Sequence, residues 1–204
     1  MSPPLPTIFI NLNANLKLFC SFERIRVFLG GNSRDTMREH PVHNFTAHPQ
    51  FDRNSRAFDI CIVRLLNPIT PSAEIHMIGL PPTYSPPPID MPFEYEEVFI
   101  DGLGNTGGTN EAAPFIYRSH QRVTSEERCR SFFVVDPQQA FCGEDREQRS
   151  NVCNGDIGSP VIGNYRRQEY LAGIVRIHPS CGAHQPAAYT RISFFNMWIQ
   201  TQLI

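Results

Sequence analysis

Apolar residues in this chain come in short runs, broken every few positions by glycine, proline or asparagine. Five runs stand out: 24–29 (RIRVFL), 59–65 (DICIVRL), 96–100 (EEVFI), 161–163 (VIG) and 170–177 (YLAGIVRI). Each is rich in β-branched or aromatic side chains, which fit a pleated and half-buried surface, so each predicts a strand. Helical spacing emerges only at the end, in SFFNMWIQTQLI. There Ser193 is the expected N-cap, and Phe194, Met197, Trp198 and Ile199 form the expected apolar stripe. The proline-rich stretch LPPTYSPPPIDMP, residues 80–92, suits neither a central strand nor a helix and reads as an extended linker. It separates a half at about 21–79 from one at 93–204. The charged stretch GEDREQRSN, 143–151, reads as a solvated loop, and no internal repeat is evident.

Eighteen prolines and thirteen glycines in 204 residues interrupt the chain too often for long helices, so the fold class is all-β. Eighteen basic and twenty acidic residues leave a net charge of −2, which recommends neither nucleic acid nor an anionic membrane as partner. Nothing approaches the ~18 consecutive apolar residues of a membrane-spanning helix. Six cysteines, at 20, 61, 129, 142, 153 and 181, form no CxxC pair. That spacing argues against a zinc ribbon or a thioredoxin-like centre and for an oxidising compartment, with the pairing left open. No metal ligand set and no cofactor motif is found. The start, MSPPLPTIFINLNANLKLF, has no basic segment and no small-residue cleavage site, so it is a poor secretory signal.

One loop, CNGDIGSPV (153–161), resembles the C-x-G-D-S-G-G-P loop of trypsin-like serine proteases, the chymotrypsin family. FDICIVRL (58–65) resembles that family's N-D-I-A-L-L-x-L strand, and DGLG (101–104) its G-W-G. YLAGIVRIHPSCG (170–182) resembles L-x-G-I-V-S-W-G-x-x-C-G, and AAYTRISFFNMWI (187–199) resembles G-V-Y-T-R-V-x-x-Y-x-x-W-I. The five matches keep the family's order and spacing from about residue 24 to the C-terminus.

The resemblance implies two antiparallel β-barrels followed by a C-terminal helix. The protease-like domain spans 21–204, with the first barrel at about 21–79, the linker at 80–92, the second barrel at 93–192 and the helix at 193–203. The first barrel is expected to be incomplete, because residues 1–20 match no family strand and the histidine loop is missing. This reads as a truncated or mis-spliced N-terminus, which also accounts for the absent secretory signal. By the same resemblance Cys129 pairs with Cys142 and Cys153 with Cys181, each loop contributing about 3–4 kcal/mol in the chain-entropy model. Cys61 is expected as a buried free thiol, while Cys20 has no counterpart. Asn44, in Asn-Phe-Thr, is a candidate glycosylation site.

The family's chemistry needs a hydroxyl, a histidine to take its proton and a carboxylate to orient the histidine. Asp59 matches the carboxylate. Ile157 stands where the nucleophile would be, and nothing upstream of Asp59 resembles the histidine motif. His40, His43 and His48 fall in the segment after it and are expected at exposed loops or strand edges. Ser159 is no substitute, since two extended residues span about 7 Å. Gly155 and Ile157 still offer two N–H groups of oxyanion-hole type. Asp156 matches the carboxylate that a new N-terminal amine binds in active proteases. With no I-V-G-G sequence here, it must face solvent, find another partner or leave the loop zymogen-like. Asn151 lies at the base of the specificity pocket, where trypsin has an acid. Arg176, Ile177 and His178 replace Ser-Trp-Gly along the substrate strand, and Arg176 and His178 are expected to obstruct the pocket.

The expected function is therefore that of a catalytically inactive serine protease homologue. It would be secreted and bind other proteins, among them proteases or their zymogens, as cofactor, decoy or regulator of a cascade. The alternatives are a divergent or truncated trypsin-like endopeptidase and a gene remnant without function.

Overall fold

The longest apolar run forms a strand in which seven successive residues, Tyr170 to Arg176, are buried. A strand with one wet face would alternate, so this one is covered on both sides. The computed structural model describes residues 26–82, 91–106, 112–145, 147, 150–179, 181 and 185–203, together with the backbone of 7–10. In chain order the strands of the first half are β1 (Thr7–Ile10), β2 (Val27–Leu29), β3 (Arg38–His40), β4 (Val42–Ala47) and β5 (Cys61–Leu65). The second half contains β6 (Glu97–Gly102), β7 (Tyr117–Val123), α1 (Glu126–Arg130), β8 (Ala140–Glu144), β9 (Pro160–Tyr165), β10 (Gln168–Ile177), β11 (Ala187–Arg191) and α2 (Ile192–Gln202).

Six strands close into an antiparallel barrel in the order β10-β11-β8-β7-β6-β9. Tyr170, Ala172 and Val175 of β10 point into its core with Val98, Ile100, Phe141 and Tyr189. On the opposite face, Leu171 and Ile174 pack against Ile60 of the first half and against Ile192, Phe195 and Ile199 of α2. β10 is thus the wall between the two halves, which explains its unbroken burial. Gly173 is needed there, because a Cβ at that point would lie 2.8 Å from both the Phe141 ring and the Thr190 carbonyl oxygen.

The first half forms a three-stranded sheet, β1-β5-β4, and a separate ribbon, β2-β3. Among the described residues its core consists of Val27, Val63 and Leu65, with Leu29, Val42, Phe45 and Ile69 packed around them. The fold is the expected all-β double barrel with a C-terminal helix, and among the described residues the first barrel is incomplete. Residues 7–10, which match no family strand, nevertheless pair antiparallel with β5, from Thr7 opposite Arg64 to Ile10 opposite Cys61.

Several local expectations shift. α2 begins one residue before Ser193, and Arg191 occupies the N-cap, its side chain donating to the Pro92 and Pro137 carbonyls rather than capping the helix. Ser193 instead donates its hydroxyl to the Met91 carbonyl at 2.8 Å. The buried stripe is Ile192, Phe195, Asn196 and Ile199, at the i, i+3, i+4, i+7 spacing of one helix face. Met197 is 82 % exposed, and Phe194 also faces outward. Part of 143–151 is strand rather than loop, since Gly143 pairs with both Val123 and Ala187. Residues 24–25 and most of the linker, 83–90, lie outside the described residues, as does Cys20.

Candidate functional site

The loop at 153–160 is shaped by its own backbone. Asp156 N–H donates to the Cys153 carbonyl at 3.1 Å, and Ser159 N–H to the Asp156 carbonyl at 2.9 Å. Gly155 and Gly158 adopt φ of 94° and 97°, conformations that strain any residue with a side chain. The loop is then stitched to β10: Gly158 N–H donates to Val175 O, and Val175 N–H to Ser159 O, both at 2.9 Å. Cys153 is bonded to Cys181, with Cα atoms 4.9 Å apart, which pins the start of the loop. Cys129 is bonded to Cys142, joining α1 to β8. Cys61 is buried, belongs to neither bridge, and directs its thiol to the Ile62 carbonyl.

Ile157 sits half-buried at the turn and presents a hydrocarbon at the position where the family resemblance implies a nucleophile. Gly155 and Ile157 N–H groups donate to no acceptor among the described residues. Ser159 has both backbone groups committed, and its hydroxyl lies toward Gly102, so it does not replace a nucleophile at 157.

Asp156 turns inward and is 8 % exposed. One carboxylate oxygen accepts from Gly104 N–H at 2.8 Å, the other from Cys153 N–H at 2.9 Å. Gly104 must be glycine: a Cβ there would come within 2.5 Å of both carboxylate oxygens. Of the three alternatives open in the sequence, the carboxylate takes another partner, and that partner is backbone. Burial pushes the Asp156 pKa above its ordinary value, against the two amide hydrogen bonds and the nearby His178.

Asp59 lies fully buried at the junction of the two halves. Second-barrel residues hold this segment in place. Phe58 N–H donates to the Gln139 side-chain oxygen at 2.9 Å, and the Thr190 hydroxyl donates to the Asp59 carbonyl at 3.1 Å. Facing the Asp59 carboxylate is Arg176 of β10, its Nε 3.9 Å away and the side chain 4 % exposed. The guanidinium Nη2 also donates to the Arg56 carbonyl. Burial lowers the Arg176 pKa, and Asp59 opposes that shift.

The remaining site residues are spread around this centre. The Asn151 amide donates to Gln185 O and accepts from Val152 N–H, both at 2.9 Å. Ile177 packs beside the Cys129–Cys142 bridge rather than on the loop. A nitrogen of His178 lies 2.6 Å from the Pro179 carbonyl. His40 pairs with Val27 in the β2–β3 ribbon, and His43 is exposed on β4. His48 departs from expectation, since it is buried, with its ring 4.8 Å from the rings of both Phe58 and Trp198. Removal from water lowers its pKa. Asn44 lies on β4 with its side-chain oxygen buried and without a hydrogen-bond partner among the described residues. Among the described residues no three His, Cys, Asp or Glu side chains gather as a metal site. No residue letter marks Gly104 N–H as the partner of Asp156. The glycine in DGLG, placed where the family has G-W-G, was the only available signal.

A family profile described as Trypsin matches residues 18–199 of the chain. Serine protease 56 of Homo sapiens is 25 % identical, with 85 % of this chain and 29 % of that protein covered. Serine protease Hayan of Drosophila melanogaster is 25 % identical, over 88 % of this chain and 30 % of its own length. The chain thus spans under a third of these two relatives, whereas it covers 77 % of trypsin of Sus scrofa, at 27 % identity and over 89 % of this chain. In fold it matches neuropsin, a serine protease of mouse brain, with a TM-score of 0.80 and 19 % identity, over 98 % of this chain and 86 % of the other.

Proposed function

Since the chain belongs to the trypsin family, we propose that it is a non-catalytic serine protease homologue that acts by binding other proteins, as cofactor, decoy or regulator of a proteolytic cascade. The observation that carries this reading is the loop at 153–160. Its glycine turns and its bonds to β10 are in place around Ile157, which offers no lone pair for attack. Arg176 facing Asp59 supports it, because the carboxylate that would orient a histidine has a guanidinium beside it. Each loss is severe: in subtilisin, removal of the serine or the histidine alone costs about 10⁶ in kcat. Two disulfides support a secreted location. Proteases and their zymogens are the proposed partners.

The test is incubation of the purified chain with peptide ester and amide substrates and with a serine-directed phosphonate. Turnover at background and no covalent adduct are expected. An adduct at a triad-type position would overturn the proposal in favour of a divergent or truncated trypsin-like endopeptidase. That second reading draws its support from relatives that are named as proteases.

A further inference from the structure

Asp59 and the Arg56 carbonyl face one buried corner, and a planar cation from the other half of the molecule fills it. Among the described residues, three polar links hold residues 56–59 against the second barrel. Two are neutral: Phe58 N–H to Gln139, and the Thr190 hydroxyl to Asp59 O. The third is the Arg176 guanidinium, with Nε 3.9 Å from the carboxylate and Nη2 on the Arg56 carbonyl. Left-handed backbone at Arg56 (φ 56°) and Phe58 (φ 53°) turns the loop so that its carbonyl and the carboxylate address the same group. Nε itself makes no hydrogen bond, so the attraction there is one of buried charges rather than of a directed donor.

We propose that the Asp59 carboxylate and the Arg56 carbonyl form a guanidinium-binding socket, occupied in cis by Arg176, that latches the two halves together. The chemistry is selective. A guanidinium is planar, keeps its proton and spreads its charge over the plane, so one cation donates to the carbonyl while its charge faces the carboxylate. A lysine ammonium at 176 is a point charge on a different stem and would not span both acceptors. In this account Asp59 is retained as an anchor rather than for catalysis. The inference stands apart from the proposed binding function, because it concerns only how the halves are joined.

Chemical rescue of the full chain tests it. Arg176→Ala should lower the Tm by several degrees. Methylguanidinium chloride at tens of millimolar should restore at least half of that loss, while equal sodium chloride or methylammonium chloride should not. Wild type and the Asp59→Asn/Arg176→Ala double variant should show no such selective gain. Should Arg176→Ala refold too poorly for melting, refolded yield with and without methylguanidinium gives the same reading, and Arg176→Met, which keeps the packed stem, serves as second background. Equal response to all three salts, or equal rescue in the Asp59→Asn background, would overturn the socket.

Discussion

Two buried aspartates neighbour β10, and they are held in opposite ways. Asp59 faces a guanidinium across the junction of the halves. Asp156 is ringed by backbone, with two N–H donors and two close glycines as its neighbours. The family resemblance implies a catalytic part for both positions, one through a histidine and the other through a new N-terminus. Here a charge answers the first and dipoles answer the second. The physical consequence differs: an ion pair depends on its partner side chain, whereas an amide cradle depends on the shape of the loop that presents it.

The largest expected effect breaks the first arrangement. Arg176→Ala should destabilise the protein by about 3–5 kcal/mol, because it leaves a buried carboxylate without the guanidinium that faces it. Replacing both members together, as Asp59→Leu with Arg176→Met, should recover most of the loss, since well-packed apolar groups of similar volume often match a buried pair. Urea denaturation of the two single variants and the double variant measures the coupling. Strictly additive losses would show that the guanidinium contributes packing alone.

The next effect falls on the second arrangement. Removing the Cys153–Cys181 bridge, which closes 28 residues, should cost about 3–4 kcal/mol in the chain-entropy model. Cys153 also supplies one of the two amides to Asp156, so the damage should be local. Hydrogen exchange of the amides at 153–159 should accelerate in Cys153→Ala/Cys181→Ala, while those of 61–65 stay protected. Uniform acceleration in both places would mean that the two carboxylate sites unfold as one unit.

How much of this was legible in the sequence follows from what a residue letter encodes. β5 and β10 were readable because burial on both faces forces apolar residues into unbroken runs. β7, YRSHQRV, was not, because it buries little beyond Gln121 and Val123 and presents polar side chains outward. α1 carried a usable signal in Ser125, whose hydroxyl accepts Arg128 N–H, but at five residues it is too short to show a period. The candidate site divides the same way. Asp59, Asp156 and Ile157 were found because motif positions are side chains. The Arg56 carbonyl and the Gly104 N–H were missed because backbone groups have no letter, and only the folded loop decides where they point.

A smaller effect separates the two carboxylates by pH. Burial raises the Asp156 pKa in the folded protein, so its ionised form is disfavoured there relative to the unfolded chain. The contribution of this group is therefore fully present below the ordinary Asp pKa and is lost as pH rises through the elevated folded value. Asp156→Asn cannot ionise and should escape that loss. It should also cost about 1–3 kcal/mol at acidic pH, because its single carbonyl oxygen cannot serve both Gly104 N–H and Cys153 N–H. Melting curves of wild type and variant across the acidic range should show wild type losing its advantage as pH rises. A difference that widens toward neutral pH would mean that the amide cradle outweighs burial, and that dipoles alone suffice to hold this charge.

The smallest expected effect is none. Ile157→Ser restores a hydroxyl to a loop whose turns and free N–H groups are already formed, so it asks whether the nucleophile alone is missing. A serine without a base is a poor nucleophile at neutral pH, because the proton it must lose has no acceptor. The described structure points the same way: Arg176 stands beside the carboxylate that would orient a base, and His48 is packed between Phe58 and Trp198. Turnover of a peptide ester by Ile157→Ser should therefore stay at background. Because the side chain is half-exposed, the Tm should move by no more than a few degrees. Burst release of product from this variant would show that a base reaches position 157 after all, and that the Asp59 corner is less firmly closed than the Asp156 loop. Background turnover with an unchanged fold would support the proposed inactivity and extend its cause from the loop to the junction of the halves.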